Sequence, residues 1–335
     1  MNKEKHELDI SESDIMSHWN LSEPIQVSIC CITYKQEQYI EQAIDGFLMQ
    51  NTSFPFEIII GEDCGGDGTL LILKRYQSKY PNLIKIISSG KNIGANANLL
   101  RVFEAAKGKY IAFCEGDDYW CNKDKLQYQF DKMESDSSIS FCIHSAKLLQ
   151  NNKLTDGFND YKEDVFFDIK DVISTTSQFS PSASYFFKRD NIQFLPDWFC
   201  DAPIGDVFLE VYMLSRGKGY FFAKPMSVYR VNAENSWSQD VNNNFDKFIF
   251  TQDKIIKYTY KLLFDFPELK PLIDNRVFKM HIYILIKCLL EDEYSFVGGR
   301  RDICHDYNCS FKYKLFLMLL RFPRLMSFVL KIIKQ

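Results

Sequence analysis

Short apolar runs alternate with amphipathic segments through the first 150 residues of the chain. The run at residues 26–34 is β-rich, and apolar residues then recur at helical spacing between Tyr39 and Phe47. Three later runs, at residues 57–60, 83–88 and 110–114, are separated by further helical patterns. Strands that alternate with helices in this way are typical of βαβ units and a mostly parallel sheet. This half of the chain is therefore predicted to have an α/β fold.

Acidic residues follow two of the predicted strands. Asp63 comes after the second run, and Glu115, Asp117 and Asp118 end the fourth run. Open sheets of this kind bind ligands at the carboxyl ends of their strands, so these carboxylates are expected to face one pocket. Like charges this close repel unless a cation or a raised pKa offsets them. A hard divalent ion is one explanation of the pattern, and an acidic turn that caps a helix is the other.

Four motifs in this half resemble those of the family 2 glycosyltransferases, in the same order and at similar spacing. The resemblance is strong over residues 25–150 and looser as far as residue 237. It implies a GT-A fold, in which a Rossmann-like mixed sheet is flanked by helices. The motifs are Val27-Ser28-Ile29 through Thr33-Tyr34, Glu62-Asp63 through Asp67-Gly68-Thr69, Asn92-Ile93-Gly94, and Glu115-Gly116-Asp117-Asp118-Tyr119-Trp120.

The resemblance also implies a function. The chain would be an inverting, metal-assisted hexosyl- or N-acetylhexosaminyltransferase that moves a sugar from a nucleotide-diphosphate sugar, first of all a UDP-sugar, to a glycan or lipid-linked saccharide of a bacterial surface polysaccharide. Thr33 and Asp63 would lie beside the base, Glu115 near the ribose or the metal, and Asp117 at the donor diphosphate. Asp117 and Asp118 would hold Mn²⁺ or Mg²⁺, which stabilises the charge of the leaving diphosphate.

Inverting transfer also needs a base within hydrogen-bond reach of the acceptor hydroxyl. The base of this family is an acidic residue that starts a helix after the donor-binding half, and residues 201–209 are the matching stretch. Asp206 precedes an apolar helical pattern and is the predicted catalytic base, with a helix N-cap as its alternative role. Asp201 is the second candidate.

The chain departs from the family pattern at three places. The acidic motif begins with Glu115 where Asp is usual, so direct contact of Glu115 with the metal stays open. Gly65-Gly66 stands in a loop where Ser and Thr are common, and Asn232 lies close to where many relatives have His. These changes motivate a rival function, a sugar-nucleotide-binding or scaffold protein that has lost turnover. A nucleotidyltransferase, which also uses paired carboxylates and metals, is the weaker rival.

Composition and charge fit a globular enzyme that does not bind nucleic acid. With 335 residues, 46% of them hydrophobic, the chain can bury a full core, and its net charge of −4 gives no basic footprint for nucleic acid. Residues 1–24 are polar, lack the apolar core of a signal peptide and are expected to form a loosely held arm. Apolar windows are too short to span a bilayer, so a cytoplasmic protein is predicted.

The pattern predicts a catalytic domain and a helical extension. Residues 25–240 form the GT-A domain, with a nucleotide-sugar-binding half at 25–150 and an acceptor half at 151–240. Residues 241–335 form the helical C-terminal region. Within it, residues 311–335 combine apolar faces with Lys and Arg, which is typical of a segment that lies on the inner face of the cell membrane. A helix pair docked on the catalytic domain explains the same pattern, and the sequence leaves both open.

Overall fold

The computed structural model describes residues 10–158, 161–234, 236–305, 307 and 310–334. Its contacts divide the chain into two compact units. The first unit runs to residue 172 and includes residues 178–243, and the second comprises residues 173–177 and 244–335. The predicted donor and acceptor halves thus fall in the first unit, apart from residues 173–177.

The first unit contains strands and helices in alternation. Its described strands are β1 (Val27–Thr33), β2 (Phe56–Glu62), β3 (Ile84–Ser88), β4 (Tyr110–Glu115), β5 (Tyr119–Trp120), β6 (Ile139–Gln150), β7 (Lys153–Asp156), β8 (Val165–Phe167), β9 (Phe186–Lys188) and β10 (Lys218–Arg230). Its described helices are α1 (Glu12–Met16), α2 (Ile40–Leu48), α3 (Thr69–Lys79), α4 (Ala95–Glu104), α5 (Lys125–Ser135), α6 (Ile169–Ser174), which ends in the second unit, α7 (Asp206–Leu214) and α8 (Trp237–Asn242).

All of these strands belong to one sheet. Eight of them follow the order β3-β2-β1-β4-β9-β6-β10-β5, while β7 pairs with β6 and β8 with β10. The four strands predicted first, β1 to β4, run parallel, and every residue of β1 and β2 is buried, as expected for a parallel sheet covered on both faces. The later strands are mixed, because β9 runs antiparallel to β4 and β6. Parallel pairing is thus found in β1 to β4 and again between β6 and β10, while the other pairs are antiparallel. The mixed α/β class implied by the resemblance is confirmed.

The second unit is helical. Its described helices are α9 (Phe245–Lys261), α10 (Lys270–Leu290), α11 (Val297–His305), α12 (Phe311–Leu319) and α13 (Pro323–Lys334). The long helix α10 contacts α9, α11 and α13. The predicted helical C-terminal region is therefore present.

Residues 10–24 pack on the sheet domain and do not form the loose arm predicted from their polar composition. Ile15 and Trp19 are buried in the core, and Trp19 Nε1 donates to Thr52 Oγ1 at 2.9 Å. Glu12 accepts hydrogen bonds from two backbone N–H groups just before β3. Two apolar side chains about one helical turn apart are enough to attach this segment, although its composition is polar.

Trp120 fixes the end of the acidic motif in the core. Its Nε1 donates to Ala183 O at 2.8 Å, and its ring contacts Phe47 edge to face with centroids 4.8 Å apart. β5, which contains Trp120, pairs with β10. The turn between β4 and β5, which carries the acidic motif, is therefore held at both ends.

Lys125 is a fully buried lysine beside this tryptophan. Its Nζ lies 3.9 Å from the Trp120 ring centroid and donates to Gln129 Oε1 at 2.7 Å. Gln129 Nε2 in turn donates to Ser184 O at 2.8 Å. Burial lowers the pKa of Lys125 to about 7, because the charged amine loses its hydration. Below about pH 7 the folded chain keeps a proton on this buried amine, which lowers the free energy of unfolding.

Lys125→Met is expected to remove a pH dependence of stability. The Lys125 amine has a pKa of about 10.4 in the unfolded chain and of about 7 in the folded chain. Because the unfolded state then binds more protons, this group makes the free energy of unfolding rise as pH increases between these values. Denaturant unfolding of parent and variant at about pH 7 and pH 9 should show the parent gaining roughly 1–3 kcal/mol relative to the variant.

The exposed Lys123 provides the matched control. Lys123→Met should follow the parent at both pH values, because its amine stays hydrated in both states. If the stability of parent and Lys125→Met changed in parallel with pH, the buried amine would have no linked titration.

Candidate functional site

The carboxyl ends of β1, β2 and β4 bring the predicted donor residues to one edge of the sheet. Thr33 ends β1, Glu115 ends β4, and Asp63 follows β2 directly. Backbone bonds fix their relative positions, since Asp63 N donates to Thr33 O at 3.1 Å and Gly116 N donates to Ile32 O at 3.0 Å. Thr33 and Asp63 are buried, whereas Glu115 is partly accessible. Asp63 and the acidic motif therefore lie at the same edge of the sheet, as the strand pattern predicted.

Asp63 holds the loop that leads into α4. Its Oδ1 accepts a hydrogen bond from Ile93 N and its Oδ2 from Gly94 N, both at 2.9 Å. Gly94 has a φ of 90°, which a glycine adopts without strain. Each carboxylate oxygen can accept a second hydrogen bond. Asp63 therefore has a structural role that the sequence did not predict and keeps capacity for one more donor.

Two neighbouring acids hold the loop between β2 and α3. Glu62 Oε1 accepts from Gly65 N at 2.7 Å. Asp67 accepts from the backbone N–H groups of Glu37 and Thr69, both at 3.2 Å. These bonds keep the glycine-containing loop close to the sheet edge.

Burial and mutual repulsion raise the pKa values of the three carboxylates in the acidic motif. Burial, with the charges of Asp117 and Asp206, raises the pKa of Glu115 to about 8. Burial also raises the pKa of Asp117. The pKa of Asp118 is raised well above its usual range by burial first and then by the charge of Asp117. Full ionisation of this motif is therefore unfavourable without a nearby positive charge.

Hydrogen bonds hold the three side chains in different ways. Asp118 Oδ1 accepts from Arg230 N at 2.8 Å, while its buried Oδ2 has no hydrogen-bond partner in the described part of the chain. Glu115 Oε2 accepts from Ser182 Oγ at 2.7 Å. A backbone hydrogen bond within Asp117, the charge of Arg230 and a side-chain hydrogen bond from Gln36 lower the pKa of Asp117 and partly offset its burial.

The acidic motif fits a divalent cation held by few protein ligands. Residues 10–158, 161–234, 236–305, 307 and 310–334 contain no group of three His, Cys, Asp or Glu that could hold a metal by itself. Mg²⁺ and Mn²⁺, however, are bound by one or two carboxylates together with substrate phosphates. A cation would offset the raised pKa values and give the buried Asp118 Oδ2 a partner. Asp117 is the more accessible of the two aspartates.

Arg230 links the acidic motif to the end of β10. Besides its backbone bond to the motif, its guanidinium donates to Asp117 O and to Gln42 Oε1. The same group lies 4.9 Å from the Tyr39 ring centroid and 4.7 Å from that of Tyr119. These contacts join residues far apart in sequence, and sequence reasoning did not predict them.

Asn232 lies just after β10 with a φ of 56°. This left-handed conformation is uncommon, but Asn, Asp and His adopt it more readily than other residues with a Cβ. The choice of residue at position 232 is therefore restricted by this backbone conformation, independently of any contact that the side chain makes.

Asp206 is the first residue of α7, and Gly205 is the N-cap. The alternative role of Asp206 as the N-cap is therefore wrong. Its charge raises the pKa values of Glu115, Tyr185 and Tyr229. Asp206 thus acts electrostatically on the acidic motif, although almost ninety residues separate them in sequence.

Asn96 of α4 holds the segment that precedes α7. Its Nδ2 donates to Phe199 O at 3.1 Å and to Ala202 O at 2.9 Å. Asp201, the second candidate base, is exposed at the end of a short 3₁₀ helix in this segment. Of the two candidates, Asp206 is the one whose charge acts on Glu115.

Glu210 connects α7 to the acidic motif. It is 1% exposed and accepts from Ser180 Oγ at 2.9 Å and from Tyr185 OH at 2.8 Å. The segment between these two donors contains Ser182, which donates to Glu115. Sequence reasoning missed Glu210 and Ser182. The available signal was a single acid within an otherwise apolar helix.

A family model described as "Glycosyl transferase family 2" matches residues 28–191. This segment contains β1 from its second residue onward, β2 to β9 and the acidic motif. Asp206 lies outside it.

Curated relatives are similar to part of the chain. "Uncharacterized protein Rv1520" of Mycobacterium tuberculosis is 40% identical over 130 residues, which are 39% of this chain and 38% of that protein. "Putative teichuronic acid biosynthesis glycosyltransferase TuaG" of Bacillus subtilis is 33% identical over 154 residues, 46% of this chain and 58% of that protein. The chain thus spans less than two thirds of the length of these relatives.

Solved structures share the fold at low sequence identity. S. aureus TarS in complex with UDP has a TM-score of 0.54 and 17% identity, over 76% of this chain and 70% of that one. Mannosyltransferase PcManGT from Pyrobaculum calidifontis, in complex with GDP-Man and Mn2+, has a TM-score of 0.56 and 14% identity, over 92% of this chain and 84% of that one. Residues 28–191, just under half of the chain, therefore match glycosyl transferase family 2, and the fold is of the GT-A type.

Proposed function

We propose that the chain transfers one sugar from a nucleotide-diphosphate sugar to a saccharide or lipid-linked saccharide, with inversion at the sugar carbon and with Mn²⁺ or Mg²⁺. The observation that carries the proposal is geometric, since Thr33, Asp63 and Glu115 lie at the carboxyl ends of parallel strands. The acidic motif at this edge also contains the buried Asp118 Oδ2, which has no hydrogen-bond partner in the described part of the chain. A metal-binding carboxylate and a base for the acceptor are the two acidic functions that such a reaction requires.

The solved structures and the curated relatives support the proposed donor and the proposed product. The TarS structures contain UDP or UDP-GlcNAc, and the PcManGT structure contains GDP-Man and Mn2+. TuaG is named for teichuronic acid biosynthesis, and another relative is a poly(ribitol-phosphate) beta-glucosyltransferase. A UDP-hexose or UDP-N-acetylhexosamine and a bacterial surface polysaccharide are therefore the donor and product class that we propose.

The base and ribose of the donor would lie at Thr33, Asp63 and Glu115. Asp63 can accept a hydrogen bond from a uracil N–H, because each of its oxygens has a second acceptor position. Thr33 Oγ1 is buried without a hydrogen-bond partner in the described part of the chain and is suited to a polar atom of the base. Glu115 Oε2 accepts a hydrogen bond from Ser182 Oγ, and its carboxylate has further acceptor positions for a ribose hydroxyl.

Asp117 and Asp118 would hold the metal. The cation supplies positive charge to the diphosphate as it leaves. Asp117 is the better direct ligand because it is partly accessible, while Asp118 is buried and also accepts a bond from Arg230 N. By donating to Asp117 O and stacking on two tyrosines, Arg230 keeps the turn in one conformation.

Asp206 would take the proton of the acceptor hydroxyl. The acceptor oxygen forms a bond to the sugar carbon while the bond from that carbon to the diphosphate oxygen breaks on the opposite face. The hydroxyl proton passes to the Asp206 carboxylate, and the electron pair of the broken bond leaves with the diphosphate. Glu210, one turn further along α7, keeps this helix tied to the segment that contacts Glu115.

A panel of UDP- and GDP-sugars tests the reaction class. With Mn²⁺ or Mg²⁺ we expect slow release of nucleoside diphosphate from one preferred donor, with water as the acceptor, and no release with chelator. A protein that binds a UDP-sugar but releases nucleotide from no donor would support the sugar-nucleotide-binding or scaffold role. Release of pyrophosphate from a nucleoside triphosphate would support a nucleotidyltransferase.

Asp117→Asn is expected to weaken metal-dependent UDP binding by about 10–100-fold, because a charged ligand to the cation is lost. Calorimetry with UDP in the presence of Mn²⁺, and again with chelator, measures the metal-dependent part. The free energy of unfolding should not fall, because the substitution also relieves repulsion within the motif.

Asp67→Asn is the matched control, since Asp67 also lies in a loop at this edge but outside the acidic motif. Asp67→Asn should bind UDP with the same metal dependence as the parent. Equal metal dependence in parent and Asp117→Asn would remove Asp117 from the metal site.

Asp63→Ala is expected to weaken UDP binding and also to lower stability. Ile93 N loses its acceptor and Gly94 N keeps only Asn92 Oδ1, so we expect a loss of about 1–3 kcal/mol in total. Asp67→Ala removes a comparable pair of bonds where water can replace them, so its loss of stability should be smaller.

The ratio of UDP to GDP affinity separates the two roles of Asp63. If Asp63 contacts the base, Asp63→Ala should reduce this ratio, whereas a loosened loop alone would weaken both nucleotides alike. An unchanged ratio would show that Asp63 only fixes the loop.

Asp206→Asn is expected to reduce nucleotide-sugar turnover by about 10²–10⁴-fold while leaving UDP affinity unchanged, because the residue would face the acceptor and not the diphosphate. Donor hydrolysis and UDP calorimetry on the same samples provide both values. Asp201→Asn is the control and should keep the parent rate. A loss of rate in Asp201→Asn alone would move the base to Asp201, and a loss of UDP affinity in Asp206→Asn would place Asp206 in the donor site.

A further inference from the structure

The last two helices of the second unit present apolar stripes to solvent. On α12 and the turn after it, the stripe residues recur at helical spacing, and the same is true of α13. These eight residues are between 38% and 80% exposed. The stripe residues are Phe311, Leu315, Met318 and Phe322 on the first helix and turn, and Leu325, Phe328, Val329 and Ile332 on α13.

The opposite faces of these helices are anchored on the second unit. Leu317, Leu320 and Ser327 are buried. Ser327 Oγ donates to Asp292 Oδ1 at 2.9 Å, and Lys331 Nζ donates to Asp292 Oδ2 at 2.6 Å. α13 also contacts α10. The helix pair therefore packs by one face on the second unit itself and exposes apolar side chains on the other face.

The charge of this segment has a single sign. Residues 310–335 contain six Lys and Arg and no Asp or Glu. Lys312, Lys314, Arg321 and Arg324 are exposed beside the stripes. A soluble surface ordinarily mixes both signs and lacks a contiguous apolar patch of this kind.

We propose that α12 and α13 form a docking surface for an anionic lipid bilayer. Apolar stripes flanked by Lys and Arg bury their side chains at the boundary of headgroups and acyl chains, and the basic residues bind anionic headgroups. The helices lie in the plane of the interface, and no helix in the described part of the chain is long and apolar enough to span a bilayer. A second copy of the chain fits this surface poorly, because two basic segments would face each other.

Flotation of the full chain with vesicles tests the proposal. We expect the protein to float with vesicles of phosphatidylcholine containing about one third phosphatidylglycerol, and to remain in solution with phosphatidylcholine alone. High salt should release part of the bound protein, since the Debye length falls from about 10 Å at 0.1 M to about 3 Å at 1 M.

Two variants separate the apolar and the basic contributions. Leu325→Glu with Phe328→Glu should lower vesicle binding at least about tenfold, because two stripe residues can no longer enter the bilayer. Replacing Lys312, Lys314, Arg321 and Arg324 by Gln should remove the preference for anionic lipid. Leu71→Glu is the matched control, because Leu71 of α3 is a comparably exposed leucine outside the surface, and it should bind as the parent does.

The outcomes are distinguishable from those of the proposed reaction, because flotation needs no nucleotide sugar. Denaturant unfolding of each variant checks that the exposed substitutions leave the fold intact. A parent that stays in solution with anionic vesicles at low salt would overturn the proposal. A parent that instead dimerises in light scattering, with dimers lost in Leu325→Glu/Phe328→Glu, would assign the surface to a second copy.

Discussion

Repulsion among the carboxylates between β4 and β5 is the constraint on which the candidate site depends. Glu115, Asp117 and Asp118 stay together although burial and their charges raise their pKa values. The charge of Arg230 lowers the pKa values of Asp117 and Asp118 only in part, so the surrounding fold must impose the arrangement. Trp120 supplies part of that support by placing the end of the turn in the core, and Arg230 supplies the rest by binding the turn from β10. A well-packed, hydrogen-bonded part of the first unit therefore lies directly beside the acidic motif.

The same support extends to α7 through buried polar contacts. Glu210 accepts hydrogen bonds from both ends of the segment that contains Ser182, and Ser182 donates to Glu115. Asn96 holds the loop before α7 from the opposite side. A buried carboxylate such as Glu210 is stable only while its donors remain in place. The predicted base and the predicted metal ligands are thus positioned by one connected set of bonds.

The sequence predicted the parallel half of the fold well, because an apolar run followed by a helical pattern is a local signal. It also predicted that Asp63 and the acidic motif share an edge, since parallel strands align their carboxyl ends. It did not reveal the contacts of Arg230, nor the roles of Ser182 and Glu210, because the partners of these residues lie from 25 to more than a hundred positions away. The N-terminal segment was predicted wrongly because composition averages over residues, whereas two buried side chains decide whether a segment is attached.

The left-handed backbone at Asn232 has a consequence for how such sites diverge. Asn and His are both tolerated at this φ, so either can replace the other without remodelling the turn after β10. Most other exchanges would strain the backbone first, whatever they offered to a ligand. Evolution can therefore sample a neutral amide or a titratable imidazole at this position in single steps, while the neighbouring scaffold continues to fold unchanged.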